Sequence, residues 1–102
     1  MQGMRRLRFR DGTNNEAEYW SLLEGLRWTL HEIGHSRLKA EELELHVLGD
    51  SLLVIRQLQG EWKAREARMR RLRDEAARLL SRFGKVRLEH RPRAKSVAEF
   101  GH

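Results

Sequence analysis

Two groups of residues in this sequence have types and spacings that could do chemistry. The first is His31-Glu32-Ile33-Gly34-His35. On a helix, histidines four positions apart turn both imidazoles to one side, where they can bind Zn2+ while the glutamate acts as the general base of a metallopeptidase. Gly34 inside the motif and Arg37 just after it suit the end of a helix better. Glycine favours a C-cap, and histidine near a helix C-terminus interacts well with the dipole. The second group is Glu18 and Asp50. Glu18 follows the polar run Gly12-Thr13-Asn14-Asn15, and Asp50 stands where an alternating apolar segment ends. In an open parallel sheet both places can face the crevice at the carboxyl ends of the strands. Two hard oxygen donors there can hold a divalent cation. The same residues also serve as a first-turn acid and a helix N-cap, and from residue types alone both readings stay open.

The elements that must position these groups follow from apolar spacing. From Met4 to Arg10 the side chains alternate, with Leu7 and Phe9 on one face, which predicts a short strand closed by an Asp11-Gly12 turn. Thr13 and Glu16 form a capping box, and Ala17, Trp20, Leu23, Leu26, Leu30 and Ile33 recur at helical spacing until Gly34. Leu43, Leu45 and Val47 alternate with Glu42, Glu44 and His46, a strand ending at Gly49. Asp50-Ser51 caps a short helix carrying Leu52, Leu53, Ile55 and Leu58, stopped by Gly60. A longer helix is expected from about Ala64 to Phe83, with Met69, Leu72, Ala76, Leu79, Leu80 and Phe83 inward. Val86, Leu88 and His90 form a third strand before Pro92, and a last short helix is expected from Ser96. Alternating elements favour an α/β fold with a parallel sheet of about three strands and helices packed on it.

Composition narrows the field. The 102 residues are expected to form a single domain over 1–102, and the absence of cysteine excludes disulfides, thiolate zinc and a cysteine nucleophile. No apolar run approaches the ~20 residues that span a bilayer, and no signal-peptide pattern opens the chain, so no membrane partner and a cytoplasmic setting are expected. The net charge of +6 is unevenly placed. Residues 1–11 carry +3, residues 12–50 carry −5, residues 61–82 carry +4 and residues 85–95 carry +4. An acidic first half and a basic second half suit either a polyanionic partner or a metal site ringed by bases.

The run Gly12-Thr13-Asn14-Asn15-Glu16-Ala17-Glu18-Tyr19 resembles the start of the first helix in type I ribonuclease H. The run from Gly49-Asp50-Ser51 through Gly60-Glu61-Trp62-Lys63 is similar to that family's second signature, and Glu89-His90-Arg91-Pro92-Arg93 follows at the expected separation. The resemblance covers about residues 4 to 95. It implies a ribonuclease H-like fold, shortened at both ends, that binds RNA–DNA hybrid or other duplex nucleic acid and acts as an endonuclease on the RNA strand. Glu18 and Asp50 resemble metal-binding catalytic carboxylates for Mg2+ or Mn2+, and His90 stands where a residue assists proton transfer. Thr13, Asn14 and Asn15 resemble contacts to the nucleic-acid backbone. Arg65, Arg68, Arg71 and Arg93 are the cations expected along phosphates. Trp62 could stack on a sugar or base.

The resemblance also implies differences. The opening strand resembles the family's third, no counterpart of the metal-bridging Asp precedes it, and Phe100 stands at the position of a fourth carboxylate. The expectation is therefore weak or absent cleavage. The family's strand order leaves a gap between residues 4–10 and 43–48. Either the first strand moves over to pair in parallel with the second, or a homodimer fills the gap by strand pairing. Three alternatives stand beside hybrid binding: an active hydrolase completed by its dimer partner or by Glu99, a structural or oligomerisation domain, and the zinc metallopeptidase.

Overall fold

The alternation around Leu45 folds as a strand, β2 (Leu43–Gly49), which is the middle of a three-stranded sheet. In this computed structural model, which describes residues 3–9 and 15–91, β1 (Gly3–Phe9) lies on one side of β2 and β3 (Lys85–His90) on the other. Both pairings are parallel: Gly3 aligns with Leu43 and Phe9 with Gly49, while Glu44 aligns with Lys85 and Gly49 with His90. Of the two ways to close the expected gap, the chain therefore takes the internal one. The first strand moves next to the second.

Helices α1 (Asn15–Gly34), α2 (Leu52–Leu58) and α3 (Ala67–Leu80) supply the rest of the core, with a short 3-10 turn at Ala40–Glu42. Leu43, Leu45 and Val47 point from β2 into a cluster with Tyr19, Leu22, Leu23 and Leu26 of α1, Val54 and Ile55 of α2, and Leu72, Ala76 and Leu79 of α3. Parallel strands are connected by helices, so each crossover lays its apolar stripe on the sheet it has just left. Helix α1 lies close on β1: a Cβ on Gly25 would come within 2.6 Å of the Leu7 side chain. Gly84 is tighter still. It donates its N–H to Ala40 O (3.1 Å) and Leu43 O (3.0 Å), and any side chain there would collide with the Glu41 carbonyl.

Three expectations need correction. Trp20 is 47% exposed, whereas Tyr19 and Leu22 are fully buried. Leu23, Leu26 and Ile33 are buried as expected, but the buried stripe of α1 takes in Tyr19 and Leu22 and leaves out Trp20. His46 was expected to alternate outward with Glu44, but it is 7% exposed, since β2 has a strand on each side and Glu89 of β3 bonds to its ring. Helix α3 starts at Ala67 rather than near Ala64, since Glu66 is extended and occupies the N-cap. The Asp11-Gly12 turn, Thr13 of the capping box and the helix expected from Ser96 lie outside the described residues. Among the described residues, no helix is long and apolar enough to cross a membrane.

Candidate nucleic-acid interface and carboxylate site

Parallel register brings the sequence-predicted residues to one end of the sheet. Asp50 directly follows the last residue of β2, and His90 is the last residue of β3, aligned with Gly49. The pairing runs one step further, with Arg91 N–H donating to Gly49 O at 2.7 Å. On the other side Phe9 aligns with Gly49, and α1 begins six positions later with Glu18 in its first turn. The carboxyl ends of all three strands, the first turn of α1 and the start of α2 thus share one edge, the usual place for a ligand crevice in an open parallel sheet. Glu18, Asp50 and His90 are all half-buried.

Side chains next to these residues fix the edge. Ser51 caps α2: its Oγ accepts the Val54 N–H at 3.2 Å, fixing the chain direction immediately after Asp50. Burial pushes the Tyr19 hydroxyl well above its ordinary range, so it keeps its proton and donates a hydrogen bond to Gln57 Oε1 at 2.7 Å. Gln57 Nε2 in turn donates to Lys63 O at 3.2 Å. This buried link ties α1 to the loop that carries Lys63 and Arg65. On β3, Glu89 accepts from Arg91 and from His46 (2.8 Å), and these contacts, Arg91 first, hold its carboxyl below the usual range.

Beside the carboxylate edge lies a cavity of about 500 Å3, lined by Asn15 and Glu16 of α1, Gln57 of α2, and Lys63, Arg65 and Met69 of the next segment. Asn15 and Arg65, both expected at a nucleic-acid interface, line this same cavity. Arg68 and Arg71 lie exposed on α3, Arg68 bonded to Glu16 at 3.1 Å. Thr13, Asn14, Arg93 and Glu99 lie outside the described residues. Trp62 is 44% exposed in the same loop as Lys63. Gln57 was not singled out from the sequence, although a glutamine within the apolar run Leu52 to Leu58 was a visible signal.

The His31-Glu32-x-x-His35 motif is elsewhere. It spans the end of α1, with His31 in the last turn about 20 Å along the helix from Glu18 and His35 just past Gly34. His31 and His35 meet edge to face at 4.4 Å between ring centroids, with Trp28 against His31. Among the described residues, no group of three or more His, Asp or Glu is placed to hold a metal ion. The donor set at the sheet edge, Glu18 and Asp50, suits one hard divalent ion that keeps most of its waters, and does not by itself suit a bridged pair.

A parallel sheet edged by these carboxylates, with helices laid over one face, defines a ribonuclease H-like domain. The comparisons agree. The chain belongs to the reverse transcriptase-like family, whose model matches residues 5–98. It is 36% identical over 85 residues to the bifunctional protein Rv2228c of Mycobacterium tuberculosis, covering 83% of this chain and 21% of that protein. The solved N-terminal ribonuclease H domain of Rv2228c superposes with a TM-score of 0.67 at 35% identity, over 84% of this chain and 60% of that one. Ribonuclease HI of Halobacterium salinarum is 38% identical over 82 residues, 80% of this chain and 37% of that protein. LC11 ribonuclease H1, solved in complex with an RNA/DNA hybrid, matches with a TM-score of 0.63 at 28% identity, over 85% of this chain and 61% of that one. The chain thus spans about a fifth of Rv2228c and little more than a third of the Halobacterium enzyme.

Proposed function

We propose that this chain binds RNA–DNA hybrid, or a duplex of similar shape, across the carboxyl edge of its sheet, and that it cleaves the RNA strand weakly or not at all. The observation that carries the reading is the shared edge: Asp50, His90 and the first turn of α1 with Glu18 lie at the same ends of parallel strands, next to the cavity bearing Asn15, Lys63 and Arg65. The hybrid seen on LC11 ribonuclease H1 supports the ligand class. Phosphate contacts from Asn15 and Arg65, together with Thr13, Asn14 and Arg93, would position the duplex.

The ribonuclease H family works with divalent metal ions, and Glu18 and Asp50 are the residues that would hold one Mg2+ or Mn2+ here. Such an ion supplies a Lewis acid and lowers the pKa of a coordinated water. His90 would exchange a proton at the same edge. The 102 residues hold two of the carboxylates that the resemblance assigns, which is why cleavage is expected to be slow.

Fluorescence anisotropy with labelled hybrid, alongside a gel cleavage assay in Mg2+ and in Mn2+, tests both statements. Salt-sensitive hybrid binding with little product supports them. Rapid turnover lost on Glu18→Gln overturns the weak-cleavage statement, and absence of salt-sensitive binding overturns the whole reading. A homodimer belongs to the same proposal: the outer edge of β1 pairs with no strand among the described residues, and a second copy adding there would extend the sheet. Light scattering that gives a monomer at high concentration refutes the dimer.

A further inference from the structure

Helices α1 and α3 face each other along two stripes of matching pitch. Trp20, Leu23 and Arg27 recur at i, i+3 and i+7 on α1, and Arg68, Arg71, Leu72 and Glu75 at i, i+3, i+4 and i+7 on α3. Between them is a cleft of about 340 Å3. Leu23 and Leu72 are buried and form its apolar floor, while Trp20 stands at its wall, 47% exposed in a helix whose adjacent Tyr19 is fully buried. An indole held open over an apolar floor is a stacking surface.

The charges around the cleft are asymmetric. Its two acids are already matched: Glu16 by Arg68 at 3.1 Å, and Glu75 by Arg27 at 3.6 Å and by Arg78. Hydrogen bonding to Arg78 holds the Glu75 carboxyl below its usual range. Arg71 makes no ion pair among the described residues, and it sits in a segment that also carries Arg65, Arg70 and Arg73. The uncompensated charge is positive, so the complementary occupant is a polyanion. The cleft adjoins the cavity described above, and Glu16 lines both.

We propose that the α1–α3 cleft takes a single-stranded segment of nucleic acid, stacking one base on Trp20 and placing the adjoining phosphates against Arg68 and Arg71. Each stripe is ~10 Å long, room for one or two nucleotides. The site therefore receives strand that continues past a duplex end, rather than the duplex itself. This deepens the hybrid-binding reading and rests on it for the class of ligand.

The test uses the 102-residue chain, a short fluorescein-labelled oligothymidylate, and hybrids with and without a single-stranded tail. In a Trp28→Phe/Trp62→Phe background, oligothymidylate is expected to quench the emission of Trp20. Trp20→Ala should weaken oligothymidylate binding by about 5- to 100-fold, Trp20→Tyr should restore most of it, and Arg71→Glu should weaken it with the fold intact. Trp28→Ala, more exposed than Trp20 and off the cleft, should change nothing. A tail should tighten hybrid binding in the parent chain and not in Trp20→Ala. The proposal is overturned if the tail gives no gain, if Trp20→Ala binds like the parent, or if Trp20 emission shifts with protein concentration alone, which would place a second copy in the cleft. Blunt-hybrid binding separates the two readings. Its loss with oligothymidylate binding intact refutes the hybrid reading only, and the converse refutes only the cleft.

Discussion

Replacing Tyr19 by Phe removes one oxygen from the best-buried contact between α1 and α2. The Tyr19 hydroxyl donates to Gln57 Oε1 at 2.7 Å, with Tyr19 fully buried and Gln57 6% exposed. In the variant the phenyl ring still fills its place, so the cost is that of an acceptor left without its donor, about 1–3 kcal/mol. For a chain of this size that corresponds to a fall in Tm of roughly 5–15 °C. Gln57 also holds Lys63 O through Nε2, so loosening Gln57 should release the 59–66 loop before the rest of the fold. Urea unfolding followed by circular dichroism should show a lower midpoint at unchanged slope, and hydrogen exchange should accelerate first in that loop. Combining Tyr19→Phe with Gln57→Leu should recover about 0.5–2 kcal/mol relative to the sum of the single changes. Strict additivity, or a single-variant loss below about 0.3 kcal/mol, would refute the buried link.

Further expectations concern capping, close packing, acid stability and charge. Ser51→Ala removes the acceptor for Val54 N–H and should cost about 1 kcal/mol by thermal unfolding, with a larger proportional loss in divalent-ion or hybrid affinity because Asp50 adjoins it. Gly84→Ala drives a Cβ into the Glu41 carbonyl and should cost about 3 kcal/mol, or prevent soluble expression. Glu75 and Glu89 have carboxyls held below their ordinary range by Arg78 and by Arg91 with His46. Their contribution is therefore present above the usual carboxylate range and is lost as pH falls through the lowered values. Unfolding midpoints measured from neutral to strongly acid pH should show an acid limb that Glu75→Gln and Glu89→Gln each flatten. Arg65→Ala should reduce the slope of log affinity against log salt for hybrid by about one, with no change in cleavage site.

Much of this was legible from residue order. The alternation at Leu43, Leu45 and Val47 is a period of two that only a strand satisfies, and the Gly49-Asp50-Ser51 junction marks its end and the next cap at once. With all strands parallel, their carboxyl ends must coincide, so the approach of Asp50 to His90 follows from topology. Residues that depend on two neighbours at once were not legible. Trp20 fits the helical repeat, but whether it faces β1 or the rim of α3 is set by tertiary packing. His46 alternates like a surface residue and is buried because β2 has a strand on each side and Glu89 reaches across from β3. Gln57 looks like a polar interruption until Tyr19, 38 positions earlier, supplies its donor.

The placement of β1 beside β2 also governs how the chain folds. Gly3 meets Leu43, forty positions on, and Glu44 meets Lys85, forty-one positions on. Among the described residues no hairpin is available to seed the sheet, so both strand pairings must close a large loop before they gain anything. The first structure to form should therefore be local and helical, within α1 and α3, and the strands should register only as those helices pack together. Slow refolding, with helical signal appearing ahead of the sheet, is what this connectivity imposes. A destabilising change in α1 should slow folding, whereas one at the outer edge of β1 should chiefly speed unfolding.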